Sequence, residues 1–300
     1  MYSKKAKTGK YILDKLNKTV KKINGFEDIY ITTKLGKIHY LVSSRDKDKD
    51  FLILIHGFSD KPESFIRSLK YLRKKFNIIL PSVKGFDFEG YNEKIKYSLD
   101  YYEKNISEIC KFEEIEKFHL GGNSLGGAIS LQVYTKKPTR VLSLSLINIA
   151  GFEYDGIETT TKGVLKGQNP FLIKNKKEFY FLLDCIFHKI PYLPSVIKHY
   201  MLEDFKIKRS DFEKISTSLF KTAPDLAIGN HLVPPKNITI PTLLVWGESD
   251  KLFPLEIAKR ASTEIKDVNF KIIKNSSHIP HIETPKKLAL IFKDYYERFS

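Results

Sequence analysis

The chain has 300 residues, of which 42% are hydrophobic and 13% aromatic, and a formal net charge of +16. That apolar content is ample for a packed interior and excludes a disordered chain, and no run of about 18 uncharged apolar residues offers a membrane-spanning helix. A basic surface attracts nucleic acid or anionic lipid, but the basic residues are spread along the chain without a recognition motif, which argues against nucleic acid.

The opening MYSKKAKTGK leads into no apolar stretch of signal-peptide length, so the expected location is cytoplasmic. Residues 1–24 hold eight Lys and one Asp, and Ile12, Leu13, Leu16, Val20 and Ile23 recur at helical spacing. This basic amphipathic segment, 1–25, suits docking on the protein's own surface or peripheral contact with an anionic membrane. Residues 26–43 read as two strands joined at Leu35-Gly36. Cys110 and Cys185 carry no metal-site or reactive-thiol pattern and are expected as free thiols.

A regular alternation follows. FLILI (51–55) is an unbroken apolar run, the mark of a strand buried on both faces, and a helix-like segment follows Pro62. FNIILPS (76–82) is the next strand, before a helical stretch around 93–112. FHLGGNS (118–124) runs through a Gly-rich turn into the helix LGGAISLQVYTKK, and VLSLSLINIAG (141–151) is another strand. Such alternation predicts a parallel sheet covered by helices.

It stops over 152–236, where aromatic-rich helical stretches appear without a clear strand, and resumes at TLLVWGESD (242–250). A helix from Leu255, the strand VNFKIIKNSSH (268–278) and a last helix after Pro285 complete it. The expected organisation is an α/β core of 26–151 and 237–300, with 152–236 as an all-helical cap, or lid, inserted between two strands. The cap's Phe171, Phe179, Tyr180, Phe181, Phe187 and Tyr192 form its own core for the most part, and they favour an apolar ligand.

The strongest local signal is Gly122-Asn123-Ser124-Leu125-Gly126, a G-x-S-x-G between a buried strand and a helix. In that setting a sharp turn lifts the Ser hydroxyl clear of the sheet edge, and small residues at Gly122 and Gly126 leave room for it. A Ser hydroxyl needs a base to take its proton. His278 lies just beyond the final strand, at the edge where all parallel strands end. His281, three residues on, raises the idea of an H-x-x-H metal pair, but no carboxylate or Cys set accompanies it, so no metal is expected. Asp250 follows the preceding strand at the same edge and is preferred to Glu248 and Asp155 as the acid that fixes the base's tautomer. Backbone N–H groups of Leu125 and Phe58 are the natural oxyanion donors, with His56 and Gly57 shaping the second loop and Asn123 supporting the first.

HGF (56–58), GGNSLGG (121–127), LINIAG (146–151), WGESDKLFP (246–254) and SHIPHIETP (277–285) together resemble the α/β-hydrolase superfamily across residues 26–300. Within it the chain is most similar to the monoacylglycerol-lipase-type and bacterial lipase branch, whose members carry a helical cap. The resemblance implies a mostly parallel eight-stranded sheet and a carboxylic ester hydrolase without a cofactor. Its substrates would be acylglycerols or similar apolar acyl esters, cleaved through an acyl-enzyme on Ser124. The sequence departs from that branch at Pro81-Ser82-Val83-Lys84, where relatives carry Asp after the Pro, and at Ser277, where Gly usually precedes the His. A Ser nucleophile excludes the haloalkane dehalogenases and epoxide hydrolases of this fold. It leaves carbon–carbon bond hydrolysis and a non-catalytic ligand-binding role as alternatives.

Overall fold

The computed structural model describes residues 2–223 and 230–299, so positions 224–229 of the expected insertion and the two terminal residues lie outside the described residues. Eight strands pair into one sheet: β1 (Glu27–Thr33), β2 (Gly36–Val42), β3 (Phe51–Ile55), β4 (Asn77–Pro81), β5 (Phe118–Asn123), β6 (Val141–Ile147), β7 (Thr242–Gly247) and β8 (Val268–Ile273). Their order across the sheet is β1-β2-β4-β3-β5-β6-β7-β8. β1–β2 and β2–β4 are antiparallel, and every later neighbour is parallel. β4, β5 and β7 are buried along their whole length because helices cover both faces. The mostly parallel, eight-stranded sheet implied by the sequence is the one observed.

The topology decides where chemistry gathers. From β3 the chain turns to β4 on one side and then crosses to β5 on the other, which opens a crevice beyond the carboxyl ends of β3 and β5. Register keeps those ends level, with Ile55 beside Gly122, Asn123 beside Ile147, Ile147 beside Val245, and Gly247 beside Ile273. With β4, which is parallel to β3, the loops after six parallel strands therefore leave the sheet at one edge.

One face is covered by α2 (Leu99–Phe112), α3 (Leu125–Lys136) and α7 (Leu255–Glu264), which bury Ile106, Leu131 and Ile257 against the strands. α2 starts at Leu99, later than the predicted 93, because the Ser98 hydroxyl accepts the Tyr101 N–H at 3.0 Å and caps it there. The other face packs on α9 (Pro285–Tyr296) and on the segment after Pro62, against which a short α8 (Pro280–Glu283) rests. That segment, helix-like in sequence, winds as 3₁₀ turns at Pro62–Ser68 and Leu72–Lys74. Buried Ile66, Leu69 and Leu72 recur every third residue, which three residues per turn brings into line and 3.6 would not.

Between β6 and β7 the described residues hold α4 (Thr160–Leu165), α5 (Lys176–Ile186) and α6 (Ser195–Thr222), and no strand. Phe179, Leu182, Leu183 and Phe187 form a small core of their own with Phe205 of α6 packed on it. Residues Lys4–Ile23 form α1, capped by Ser3 through the Ala6 N–H. α1 runs antiparallel to α6: the Ser3 N–H donates to Glu203 at 2.9 Å, while a Cβ at Gly9 would stand 2.1 Å from the Val196 carbonyl oxygen. The predicted stripe is thereby divided. Ile12, Leu13 and Val20 are half-buried, but Leu16 and Ile23 are 52% and 76% exposed.

Candidate active site

The turn between β5 and α3 holds Ser124 at φ 53°, ψ −119°, a conformation that L residues rarely adopt. Its surroundings fix it there. The Ser124 N–H donates to the Ile147 carbonyl at 3.2 Å, and the Ser124 carbonyl accepts from Gly127, Ala128 and Ala150. Close approach of α3 to β3 requires the flanking glycines: a Cβ at Gly126 would stand 2.0 Å from the Ile55 carbonyl oxygen, and one at Gly122 would stand 2.4 Å from the Gly126 backbone. Leu125 opens α3, so its N–H has no intrahelical acceptor.

Asp250 and His278 meet beside this turn. His278 Nδ1 is 2.9 Å from Asp250 Oδ2, and both side chains are buried. A proton on Nδ1 donates across that contact and leaves Nε2 with a lone pair. The Asp250 carboxylate accepts four hydrogen bonds in all: Leu252 N–H (2.8 Å) and Phe253 N–H (3.0 Å) reach Oδ1, while Asn148 Nδ2–H (2.7 Å) and His278 share Oδ2. A buried carboxylate needs such compensation to remain ionised. Asn123 Nδ2 donates to the carbonyls of His278 (2.9 Å) and Ile147 (3.0 Å), which ties the histidine's backbone to the turn that holds Ser124.

The loop after β3 supplies the third side. His56 Nε2 accepts the Val83 N–H at 3.0 Å, so Nδ1 carries the proton and donates to the Gly57 carbonyl at 2.9 Å. Burial holds the His56 pKa below the usual imidazole range, in keeping with that neutral form. Gly57 backs onto Asn123 and Ser124, where a Cβ would come within 3.2 Å of each. Phe58 follows, its ring 4.9 Å from that of Phe171. Ser124 lines a narrow pocket. Phe58 and Leu125 line it from the sheet edge, and Val164, Phe171, Leu219 and Phe220 line it from the insertion. Nearly all of its surface is carbon, which suits a hydrocarbon chain.

The rival carboxylates lie elsewhere. Glu248 is exposed and accepts the Asn275 N–H, and Asp155 is exposed in the segment before α4. His281 turns away from His278 to Asp60. Of the cap aromatics, Phe171 lines the pocket, Phe179 and Phe187 fill the insertion's own core, and Phe181 and Tyr192 are exposed. Three side chains support the site in ways that sequence did not indicate. Asn148, at φ 44°, holds Asp250 through Nδ2 and accepts the Gly247 N–H at 3.2 Å through Oδ1. Ser277 donates its hydroxyl towards the carbonyls of Cys185 (3.1 Å) and Ser249 (3.0 Å). Glu283 accepts the Ser277 N–H at 2.7 Å and the N–H groups of His188 and Lys189 at 2.8 and 3.1 Å. Asn148 stands in a recognisable LINIAG motif and Ser277 stood out only as a departure from Gly, whereas nothing local marked Glu283.

Residues 50–175 match the family model described as the alpha/beta hydrolase fold. The chain is 29% identical to Lipase 1 of Psychrobacter immobilis over 252 residues, covering 83% of this chain and 76% of that one. It is 26% identical over 276 residues to a monoacylglycerol lipase of Xenopus laevis, covering 86% and 79%. Among solved structures it is similar to a bacterial membrane phospholipase A, with a TM-score of 0.83 and 23% identity over 97% of this chain and 92% of that one. At that identity the structural likeness speaks for the fold alone.

Proposed function

We propose that this member of the α/β-hydrolase superfamily is a carboxylic ester hydrolase that works through an acyl-enzyme on Ser124. In this reading His278 Nε2 takes the Ser124 proton as Oγ attacks the ester carbonyl. The developing oxyanion is received by the backbone N–H groups of Phe58 and Leu125. Asp250 stabilises the imidazolium, which returns its proton to the leaving alcohol. A water then repeats the sequence, with His278 as base again, and the fatty acid leaves. The supporting observation is the hydrogen-bonded His278–Asp250 pair beside a Ser held at φ 53° at an apolar pocket. We read residues 152–236 as a cap over that pocket, set into a core of 26–151 and 237–300. The substrate class that fits is an acylglycerol or a similar ester with an apolar acyl chain, in line with the lipase names of the relatives.

The test is fluorophosphonate labelling mapped to Ser124, combined with turnover of a chain-length series of p-nitrophenyl and monoacylglycerol esters. Labelling with turnover that rises from acetate towards longer chains supports the reading. A wild-type protein that binds esters without turning them over would make it a ligand-binding protein instead.

Contact with an anionic membrane through residues 1–24 belongs to the same proposal. No helix among the described residues is long and apolar enough to cross a membrane. With α1 docked on α6, the exposed Leu16 and Ile23 and seven exposed lysines remain for a peripheral contact. Near anionic headgroups each Lys contributes roughly 1 kcal/mol. Leu16→Asp with Ile23→Asp should abolish salt-sensitive binding to phosphatidylserine vesicles and leave turnover of a soluble short-chain ester intact. Unchanged vesicle binding would remove this part of the proposal.

A further inference from the structure

The base loop and the oxyanion loop touch at a second point, away from the reacting atoms. Asp60 lies two residues after Phe58, and His281 three residues after His278. His281 Nε2 is 3.1 Å from Asp60 Oδ2, an oxygen that also accepts the Ser64 hydroxyl at 2.7 Å. The His281 side chain is wholly buried and its ring stacks on Phe65, with centroids 4.5 Å apart and planes 20° from parallel. On the other side, the Asp60 N–H donates to the Gly57 carbonyl at 3.3 Å and closes a tight turn that includes Ser59 at φ 58°.

We propose that the Asp60–His281 pair is a positioning clasp, which fixes the spacing between the oxyanion donor on Phe58 and the general base His278. The connections form a closed ring. Gly57 backs onto Asn123 and Ser124, Asn123 holds the His278 carbonyl, α8 carries the chain from His278 to His281, and His281 returns through Asp60 to Gly57. Of these links, only Asp60–His281 joins the two loops side chain to side chain. Burial alone would raise the Asp60 pKa, but His281, His56 and the Ser64 hydroxyl together outweigh it and hold the carboxyl below its usual range, so the acceptor is charged. Neither residue touches the reacting atoms; both act through Phe58 and His278. The inference rests on the ester-hydrolase reading.

Its consequence is kinetic. A displacement of about 1 Å in a catalytic constellation can cost on the order of 100-fold in rate. His281→Phe keeps a ring on Phe65 and removes the donor, and Asp60→Ala removes the acceptor. Each should lower kcat on a short p-nitrophenyl ester by about 10- to 100-fold with KM nearly unchanged. The double variant should fall no further than the worse single one, because both delete the same link. Asp60→Asn keeps an acceptor for His281 and should recover most of the loss seen in Asp60→Ala. A purely structural role would instead lower the unfolding temperature and leave the kcat of the folded fraction, counted by fluorophosphonate titration, at the wild-type value. That result with an active wild type overturns the clasp alone. A wild type without ester turnover overturns the enzyme reading and the clasp with it.

Discussion

The two walls of the pocket are built on different physics. On the sheet side, Asp250 accepts four hydrogen bonds, Asn148 and Asn123 each bridge two groups, and His56 uses both ring nitrogens. On the insertion side, Phe171, Leu219 and Phe220 meet the pocket through apolar contact. Directional bonds fix atoms to within a fraction of an ångström, whereas dispersion contacts fix volume and shape. The sheet wall should therefore fail abruptly when one atom is changed. The insertion wall should respond by degrees.

The largest effect is expected at the reacting groups. Ser124→Ala and His278→Ala should each reduce turnover by about 10⁴- to 10⁶-fold, and Asp250→Asn by about 10⁴-fold, with folded protein recovered in every case. Circular dichroism and active-site titration alongside steady-state kinetics check this. A Ser124→Ala protein that retains a tenth of wild-type activity would move the nucleophile elsewhere.

Asn148→Ala comes next. It removes one of the four bonds to Asp250 and strips the buried Gly247 N–H of its acceptor. An unsatisfied buried donor costs about 1–3 kcal/mol, so both stability and kcat should drop, the latter by roughly 10-fold. Chemical denaturation and single-turnover kinetics would separate the two losses. Stability that falls while kcat holds would show that three bonds suffice to hold Asp250.

On the insertion wall, Phe171→Ala should leave turnover of short esters nearly unchanged. It should alter chain-length preference, with kcat/KM for long acyl chains changed by about 10-fold, the scale of small volume changes in an apolar pocket. Profiles for the variant and the wild type that superimpose would take Phe171 out of the acyl site and leave it only its packing against Phe58.

The same contrast explains what was legible in the sequence. Ser124, Asp250 and His278 stand in short motifs at strand ends, where local pattern and the parallel topology suffice to bring them to one edge. Asp60–His281 joins residues 221 positions apart, and Ser277–Cys185 spans 92, so neither leaves a local trace. For His281, spacing raises an H-x-x-H pair, set aside for want of further ligands, but cannot say which way the side chain turns. The segment after Pro62 is helix-like in sequence, and pattern alone does not separate a 3₁₀ winding from an α winding there. For α1, periodicity found the apolar stripe but not the Gly9 contact with Val196, which decides which part of the stripe is covered.

The smallest effect is expected where the two walls are joined. Ser277 directly precedes His278, and its hydroxyl reaches the carbonyls of Cys185, in the last turn of α5, and of Ser249, beside Asp250. Glu283 reinforces that junction by accepting N–H groups from Ser277 on one side and from His188 and Lys189 on the other. The end of α5 is thus anchored by directional bonds to the loops that carry His278 and Asp250. Ser277→Gly deletes the hydroxyl and leaves the backbone N–H bond to Glu283 in place. It should cost about 1 kcal/mol in stability and change the kcat on short esters by no more than a few-fold, since His278 keeps its bonds to Asp250 and Asn123. Protection of the α5 amides from hydrogen exchange should fall more than that of the sheet. Uniform loss of protection would mean that the hydroxyl supports the whole edge. No loss in α5 would mean that Glu283 alone holds the insertion there, which Glu283→Gln with Ser277→Gly then tests directly.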